Sequence, residues 1–217
     1  MQTDTRPTLR PKGSGDLLFQ GPAEALKSAT GRTGSMVFPY TPTITYQRSA
    51  NYGTYELPHT NYQPKYYVST GSPTLQVTGL FTNQTEDEIR YTQGCLHFLR
   101  MASLSHFGEQ DPHRGTPPPV MLFSAYGANQ FNNFSCVIGN VSYTLDSEAD
   151  YLEAGTSSSG GAQTTTLGGI GGSSTVILPA QMFIAIDLIH QPDLLATRKD
   201  FTVAEMASGN LLTRGFI

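Results

Sequence analysis

The chain has 217 residues and a formal net charge of −4, and only 38% of its residues are apolar and 14% charged; globular proteins average roughly 45–50% and 25%. The composition includes 22 Gly, 14 Pro, 11 Phe and 11 Tyr. It argues against an all-helical protein, which would be rich in Ala, Leu, Glu and Lys, and against a fully disordered chain, which would be poor in aromatic residues. The longest apolar run is five residues, Met182–Ile186, whereas a membrane helix needs about twenty. We therefore expect a β-rich protein without a membrane segment.

The first 35 residues differ from the rest in charge and composition. They carry five basic and three acidic residues, whereas the remainder carries eight basic and fourteen acidic residues. Because this segment is rich in Pro, Gly, Ser and Thr without a sustained period, we predict an extended N-terminal arm over residues 1–35, partly disordered on its own. Residues 17–22 (LLFQGP) resemble a viral 3C-type protease site of the kind used in expression tags; the continuous sequence from Met1 favours coincidence.

Several segments between the arm and the middle of the chain have the aromatic and β-branched residues typical of strands. Alternation is clearest where Leu75, Val77 and Phe81 fall on one face and Gln76 and Thr78 on the other. The predicted strands are Val37–Tyr40, Thr43–Tyr52, Tyr55–His59, Lys65–Ser69 and Leu75–Phe81.

A helix is predicted to begin after Thr85. Thr85 can cap it, and Glu88 completes a capping box three residues on. We expect the helix to run to about His106, with Gly108 as its stop, and Gly94 inside it predicts close packing on a sheet. We expect it to pack across the outside of the sheet. Its buried face is predicted to comprise Ile89, Leu96, Leu99 and Phe107, joined by Thr92 and Ser103.

Three more strands and a short helix are predicted in the second half of the chain. The strands are Val120–Tyr126, Asn133–Leu145 and Gln181–Gln191, and the helix is Val203–Ala207. Because Gln181–Gln191 is apolar on both sides, we expect both of its faces to be largely covered. Seventeen of the 21 residues of Gly155–Thr175 are Gly, Ser or Thr, which predicts a flexible loop.

The residues that commonly carry chemistry are present but do not form a recognisable motif. The histidines show no HxxxH or HExxH spacing, and there is no GxSxG, no P-loop ending and no CxxC. We expect Cys95 and Cys136 to be buried thiols in a reducing cytoplasm. The acids Asp146, Glu148, Asp150 and Glu153 lack an EF-hand pattern and are interpreted as a solvated turn. The five histidines, for which we expect structural or surface roles, are His59, His97, His106, His113 and His190.

The order of several motifs resembles virion proteins of contractile-tailed bacteriophages. The resemblance is strongest at His106–Gly108, Gly115–Val120 and Ala125–Gly127, and it covers most of residues 36–217. The remaining motifs are Phe38–Ile44, Ser49–Tyr52, Leu57–Asn61, Val77–Thr85, Cys95–Arg100, Asp150–Tyr151 and Phe201–Gly209. The chain is similar to baseplate tail-tube proteins, which cap or initiate the tail tube, and to the tail-tube protein itself.

This resemblance implies a mainly β fold with one long helix, an antiparallel β-sandwich or half-barrel of the tail-tube type. It implies a tail-tube-like domain over residues 36–217, with the flexible loop at 155–175. Six copies are expected to form a ring whose strands join one continuous inner barrel around a DNA channel. The implied partners are the neighbouring tube ring and the baseplate hub, with sheath or wedge proteins as further candidates. The implied location is the virion tail, after assembly in the host cytoplasm.

The resemblance and the residues together predict a structural protein, not an enzyme, without catalytic, cofactor-binding or metal-binding residues and without cofactors. We expect the channel-facing side of the strands to be polar or acidic, so that DNA passes without lasting phosphate contacts. We expect the basic arm to dock on a neighbouring subunit. The alternatives are a receptor-binding or carbohydrate-binding β-sandwich of the baseplate, which should expose a cluster of aromatic residues, and, less favoured, a cell-wall hydrolase.

Overall fold

The computed structural model describes residues 6–13, 15–29, 34–111, 113–127, 130–154 and 175–216, which form a mainly β fold with a few helices. The strands are β1 (Thr8–Pro11), β2 (Met36–Val37), β3 (Thr43–Gln47), β4 (Ala50–Thr54), β5 (Lys65–Thr70), β6 (Thr74–Thr82), β7 (Met121–Ala125), β8 (Phe131–Tyr143), β9 (Tyr151–Ala154), β10 (Val176–Pro179) and β11 (Gln181–His190). The helices are α1 (Ala25–Ala29), α2 (Glu86–Ala102), α3 (Leu194–Asp200) and α4 (Val203–Ala207), with 3-10 turns at Asp16–Phe19, Gly21–Glu24 and Leu212–Arg214.

One seven-stranded sheet dominates the fold, in the order β2-β1-β7-β8-β11-β6-β3. Two smaller two-stranded sheets pair β4 with β5 and β9 with β10. Every pairing is antiparallel, which confirms the prediction of a β-rich antiparallel fold. The described residues contain no second large sheet that could form a sandwich with the first.

The sheet has one buried face, because side chains alternate between the two sides of each strand. In β6 and β11 the inward positions are apolar and almost fully buried, and they share one core with α2. These inward residues are Leu75, Val77, Phe81, Met182, Ile184, Ile186 and Leu188. The prediction that both faces of the last strand are covered is wrong: Phe183 is 57% and Ile189 41% exposed on the opposite side.

Helix α2 begins where the capping residues place its start. The Thr85 side chain accepts the backbone N–H of Glu88 at 3.4 Å, and the Glu88 carboxylate accepts the backbone N–H of Gln84 at 2.7 Å. The helix ends at Ala102, four residues before the predicted end. Ile89, Thr92, Leu96 and Leu99 are buried as predicted. Ser103 is the exposed C-cap residue, and Phe107 lies beyond the helix and is 86% exposed, so the assignment of both to the buried face is wrong.

The described part of the N-terminal segment belongs to the body of the protein. Strand β1 lies between β2 and β7 in the large sheet, with Leu9 opposite both Met36 and Phe123. The interpretation of residues 1–35 as an extended arm therefore does not hold for residues 6–13 and 15–29. The apolar residues of this segment were too sparse to show a period, but they fill the core beside α2. They are Leu9, Leu18, Phe19, Ala23 and Leu26, all buried.

The packing of α2 on this segment explains two features of the sequence. A Cβ at Gly94 would lie 2.9 Å from the carbonyl oxygen of Pro22, so the glycine permits close approach of the helix to the Gly21–Glu24 turn and not, as predicted, to a sheet. The ring of Phe19 stacks on Phe98 with centroids 5.1 Å apart. Leu18 and Phe19, within residues 17–22, are thus part of the core.

The β4–β5 hairpin stands apart from this core. β3 and β4 are separated by Arg48 and Ser49, so the single strand predicted over Thr43–Tyr52 is two strands. The predicted strand Tyr55–His59 is wrong; these residues connect β4 to β5, and His59 has a φ of 60°. Within β4 and β5 every residue except Gly53 is exposed.

Several other predicted elements are confirmed within a few residues. The first predicted strand, Val37–Tyr40, shrinks to Met36–Val37, whereas α4 matches its predicted bounds. Strands β1, β9 and β10 and helices α1 and α3 had no prediction. The predicted flexible loop falls, but for Thr175, outside the described residues. No helix in the described part of the chain is long and apolar enough to cross a membrane.

Candidate functional site: the outer face of the sheet

The outer face of the sheet, defined as the side of β3, β6, β11 and β8 that faces away from α2 and the core, is dominated by uncharged polar residues. The alternation that buries one side of each strand sends these residues to the other side. The outer-face positions with polar side chains are Thr43, Thr45, Gln47, Thr74, Gln76, Thr78, Thr82, Asn140, Ser142, Gln181 and Asp187.

Strand register aligns these side chains in rows across four strands. One row runs Thr45, Gln76, Asp187 and Asn140, and a second runs Thr43, Thr78, Ala185 and Ser142. Directly paired residues on one face lie about 4.5–5.5 Å apart at Cβ. The rows therefore form a continuous polar surface, not isolated polar positions.

Charge on this surface is restricted to one carboxylate. Asp187 is the only Asp, Glu, Lys or Arg in β3, β6, β8 and β11, and none of the four strands contains a basic residue other than His190. The Asn140 amide donates to Asp187 Oδ2 at 3.3 Å. The surface thus offers hydrogen bonds from amides and hydroxyls but no fixed positive charge.

Apolar side chains interrupt the polar rows near the ends of β11. Phe183 lies opposite Leu80, and Ile189 lies opposite Thr74 and Val137. The exposed ring of Phe183 is therefore part of a small apolar strip at one end of the outer face.

The sheet and the β4–β5 hairpin both present strand edges. Among the described residues β3 pairs with β6 alone and ends the large sheet. The hairpin continues the β3–β6 pair, because the Gly71 N–H donates to the Ser49 carbonyl at 2.8 Å. End strands present backbone N–H and C=O groups that can pair with another chain.

Tyrosines crowd the β4–β5 hairpin and its connection. Tyr52 contacts Tyr67 with ring centroids 6.0 Å apart, and Tyr55 contacts Tyr66 at 4.5 Å. Tyr62, in the connection, is 88% exposed. The hairpin and its connection, here called the hairpin tip, thus expose two contacting tyrosine pairs and the separate Tyr62.

Of the predicted histidines, His190 belongs to the sheet. Its Nδ1 lies 2.9 Å from the Ser135 carbonyl, and its ring stacks on Phe134 at 4.7 Å. Burial lowers the pKa of His190, the charge of Arg48 lowers it further, and the hydrogen bond to Ser135 opposes both effects. These contacts describe a structural histidine at the end of β11.

The loop after α2 brings together two histidines that the sequence spacing left unpaired. His106 Nδ1 lies 2.7 Å from Asp111 Oδ2, and the rings of His106 and His113 lie 5.7 Å apart. The backbone N–H of His113 and the His106 side chain lower the pKa of Asp111. His59 is exposed in the hairpin connection, and His97 is partly exposed on α2.

A Ser, a His and an Asp line one cleft near the C-terminal end of β11 but are not linked as a catalytic triad. His190 directs Nδ1 to the main-chain carbonyl of Ser135, whereas a triad needs a carboxylate there. Asp193 Oδ2 lies 3.6 Å from Lys12 Nζ. Sequence spacing could not have shown this cleft, because Ser135 and His190 meet only through strand pairing.

The cysteines are buried as the sequence suggested, and the four acidic residues are exposed, but Glu153 lies in β9 and not in a turn. The Asp146 side chain accepts the backbone N–H of Glu148 at 3.1 Å, and Asp146, Glu148, Asp150 and Glu153 are exposed. Within the described residues, no group of three or more His, Cys, Asp or Glu is arranged to hold a metal. Both cysteines are buried and free, and burial raises the pKa of Cys136 to about 12.

The signal that could have found the outer face is the alternation of Thr, Gln, Asn and Ser with apolar residues in four separate strands. What alternation alone could not show is that these four strands are adjacent.

No family model matches the chain, and no curated protein matches it.

Proposed function

We propose that the protein is a structural virion protein that forms a hexameric ring of the tail tube at a phage baseplate, links the hub to the tube and lines the DNA channel with its outer face. The observation that carries this proposal is the polar surface of β3, β6, β11 and β8, which contains one carboxylate and no Lys or Arg. Phosphate contacts by Lys and Arg supply most non-specific DNA affinity. A wall without them lets DNA pass without being held.

The position of α2 supports the same orientation. The helix shares a core with the inward face of the sheet, opposite the polar rows. In a ring whose channel faces the polar rows, α2 lies on the outer wall. The resemblance to baseplate tail-tube proteins suggested such an arrangement independently of these contacts.

Ring closure also accounts for the strand edges. An open sheet that ends in an exposed strand such as β3 invites pairing with another chain, and closure of neighbouring sheets into one barrel removes that hazard. The hairpin tip has almost no buried side chain of its own, and isolated two-stranded hairpins are marginally stable in water. We therefore assign the tip to contact with a neighbouring subunit.

Particle images of the protein with its tube and baseplate partners test the ring directly. The expected result is a six-fold ring around a central hole, with the β3, β6, β11 and β8 side of each copy facing the hole. Monomers in assembled tails, another symmetry, or α2 facing the hole would contradict the proposal.

A charge test addresses the channel wall. Gln76→Lys and Asn140→Lys place positive charge in the central polar row, and Gln110→Lys places it in the exposed loop after α2 as a control. We expect all three variants to assemble, with DNA release slowed at low salt only by the first two. Equal release from all three would argue against a DNA channel along this face.

A second candidate function is carbohydrate or receptor binding, and the exposed tyrosines of the hairpin tip favour it. Exposed tyrosines supply large contact area at low entropic cost. Titration of host surface saccharides, followed by tyrosine fluorescence in this Trp-free chain, distinguishes the candidates. Saturable binding that Tyr52→Ala and Tyr62→Ala abolish, in a protein that forms no ring, would favour the receptor-binding function.

Neither candidate requires catalysis, and we propose a structural role without turnover. His190 Nδ1 contacts the Ser135 carbonyl and not a carboxylate, which supports this, as does the lack of a nucleophile motif in the sequence. Assays of peptidoglycan and nucleotide hydrolysis with pure protein test it. Turnover that is lost in His190→Ala would overturn the proposal.

A further inference from the structure

The loop after α2 holds two histidine side chains around one carboxylate. Asp111 Oδ2 lies 2.7 Å from Nδ1 of His106, and Asp111 Oδ1 accepts the backbone N–H of His113 at 2.9 Å. The imidazole rings lie 5.7 Å apart at their centroids. A single carboxylate therefore fixes one imidazole directly and the backbone of the other.

Main-chain hydrogen bonds hold this loop in place. The His106 N–H donates to the Thr116 carbonyl at 3.0 Å, and the Gly115 N–H donates back to the His106 carbonyl at 2.8 Å. The Thr116 hydroxyl also donates to the His113 carbonyl at 2.7 Å. The two histidines thus lie in one closed loop, so little ordering entropy of the backbone would oppose a shared ligand.

This arrangement is typical of a metal-binding histidine whose second ring nitrogen is hydrogen-bonded to a carboxylate. An imidazole that donates Nδ1–H to a carboxylate keeps its lone pair on Nε2, and metal-bound histidines almost always make such a hydrogen bond. Two imidazoles that share one tetrahedral Zn²⁺ have ring centres roughly 5 Å apart, given Zn–N distances of about 2.0–2.1 Å. The observed separation lies close to this value.

We propose that His106 and His113 bind a divalent transition metal such as Zn²⁺, with Asp111 orienting His106 and water completing the coordination. The described residues contain no arrangement of three or more such ligands, and in this proposal the described part of the chain supplies two. The site is therefore an exchangeable one, not a structural zinc centre of the four-ligand kind. This inference is independent of the proposed role in a tail tube.

Isothermal titration of the tag-free full chain with ZnCl₂ in a non-chelating buffer tests the proposal. We expect one binding event, and an affinity about tenfold or more lower in His106→Ala and in His113→Ala. Asp111→Asn is expected to lower the Zn²⁺ affinity by about 10–100-fold, because removal of the carboxylate that orients a metal-binding histidine has an effect of this size in other metal sites. His59→Ala, which removes an exposed histidine on the hairpin connection, is expected to leave the affinity unchanged.

Proton NMR of the histidine rings gives a second readout that separates binding from loop damage. Zn²⁺ should shift the ring signals of His106 and His113 and leave those of His59 unchanged. No heat up to millimolar ZnCl₂, unchanged affinity in His113→Ala, or loss of affinity in His59→Ala would each overturn the proposal. Because the His113 side chain is exposed, its variant remains decisive even if His106→Ala disturbs the loop.

Discussion

Helix α2 and the β4–β5 hairpin differ in where their packing partners lie. Eight residues of α2 are buried, against the sheet core and the N-terminal segment. In the hairpin every strand residue except Gly53 is exposed, and its aromatic rings contact one another. The helix region can therefore be stable within one chain, while the hairpin buries almost nothing within the described part of this chain. Five predictions test this difference, from the largest expected effect to the smallest.

Deletion of residues 2–35 should have the largest effect. The deletion removes β1 from between β2 and β7 and uncovers Phe98 and the Gly94 side of α2. We expect loss of the cooperative unfolding transition in urea, not the folded subunit with weakened stacking that an extended arm would leave. A truncated chain that still unfolds cooperatively would contradict the packing described here.

Phe98→Ala should destabilise the protein by about 3–5 kcal/mol, because it removes a fully buried ring that stacks on Phe19. Phe107→Ala is the matched control, since Phe107 is 86% exposed and surface substitutions usually change stability by less than about 0.5 kcal/mol. Urea unfolding followed by circular dichroism measures both. Equal destabilisation of the two variants would show that the buried face of α2 is misassigned.

Gly94→Ala should destabilise by about 1–3 kcal/mol, because the new Cβ would lie 2.9 Å from the Pro22 carbonyl oxygen and overpacking carries such a cost. Intrinsic helix propensity acts in the opposite direction, by about 1 kcal/mol. Gln93→Ala, at the adjacent and partly exposed position, controls for propensity. If Gly94→Ala stabilised the protein, the close contact between α2 and the Gly21–Glu24 turn would be contradicted.

His190 should make folding sensitive to acid. Its pKa is lowered in the folded protein, chiefly by burial, so the unfolded chain takes up a proton first as the pH falls. The free energy of unfolding should therefore decrease as the pH drops below the ordinary histidine pKa of about 6.5. His190→Gln should have a smaller decrease than the wild type between pH 7.5 and 5.5 in urea titrations; identical pH dependence would rule out this contribution.

Tyr62→Ala on the hairpin tip should have the smallest effect on the isolated subunit, within about 0.5 kcal/mol, because the side chain is 88% exposed. If the tip contacts a neighbour, the same variant should reduce ring formation in particle images and sedimentation velocity. Unchanged assembly, or a large loss of subunit stability, would contradict the contrast between helix and hairpin.

Local patterns were sufficient for the elements that depend on neighbouring residues in the chain. Thr85 and Glu88 located the start of α2, because capping bonds span only three or four residues. Alternation located the buried positions of β6, because side chains of a strand change face at every residue. Alternation also placed Gln76 and Thr78 on the opposite face of β6, whereas the expectation of a polar channel wall followed from the resemblance and the passage of DNA.

Long-range packing decided the features that the sequence did not reveal. The sparse apolar residues Leu9, Leu18 and Phe19 looked like part of an arm, because their partners on the sheet and on α2 are far away in the chain. The exposure of Phe183 was missed because alternation shows that a strand has two faces but not which face another layer covers.

The same distinction applies to the candidate sites. Composition determined that the strands carry almost no charge, but only strand order made β3, β6, β11 and β8 adjacent and so produced a continuous surface. The sequence spacing of His106 and His113 matches no metal-binding motif. The two residues come together because the loop after α2 closes on itself, and not because a regular helix places them on one face. Sequence by itself determines local backbone preference and side-chain alternation, whereas tertiary structure decides which surfaces meet, because contact free energy depends on distance in space and not on distance along the chain.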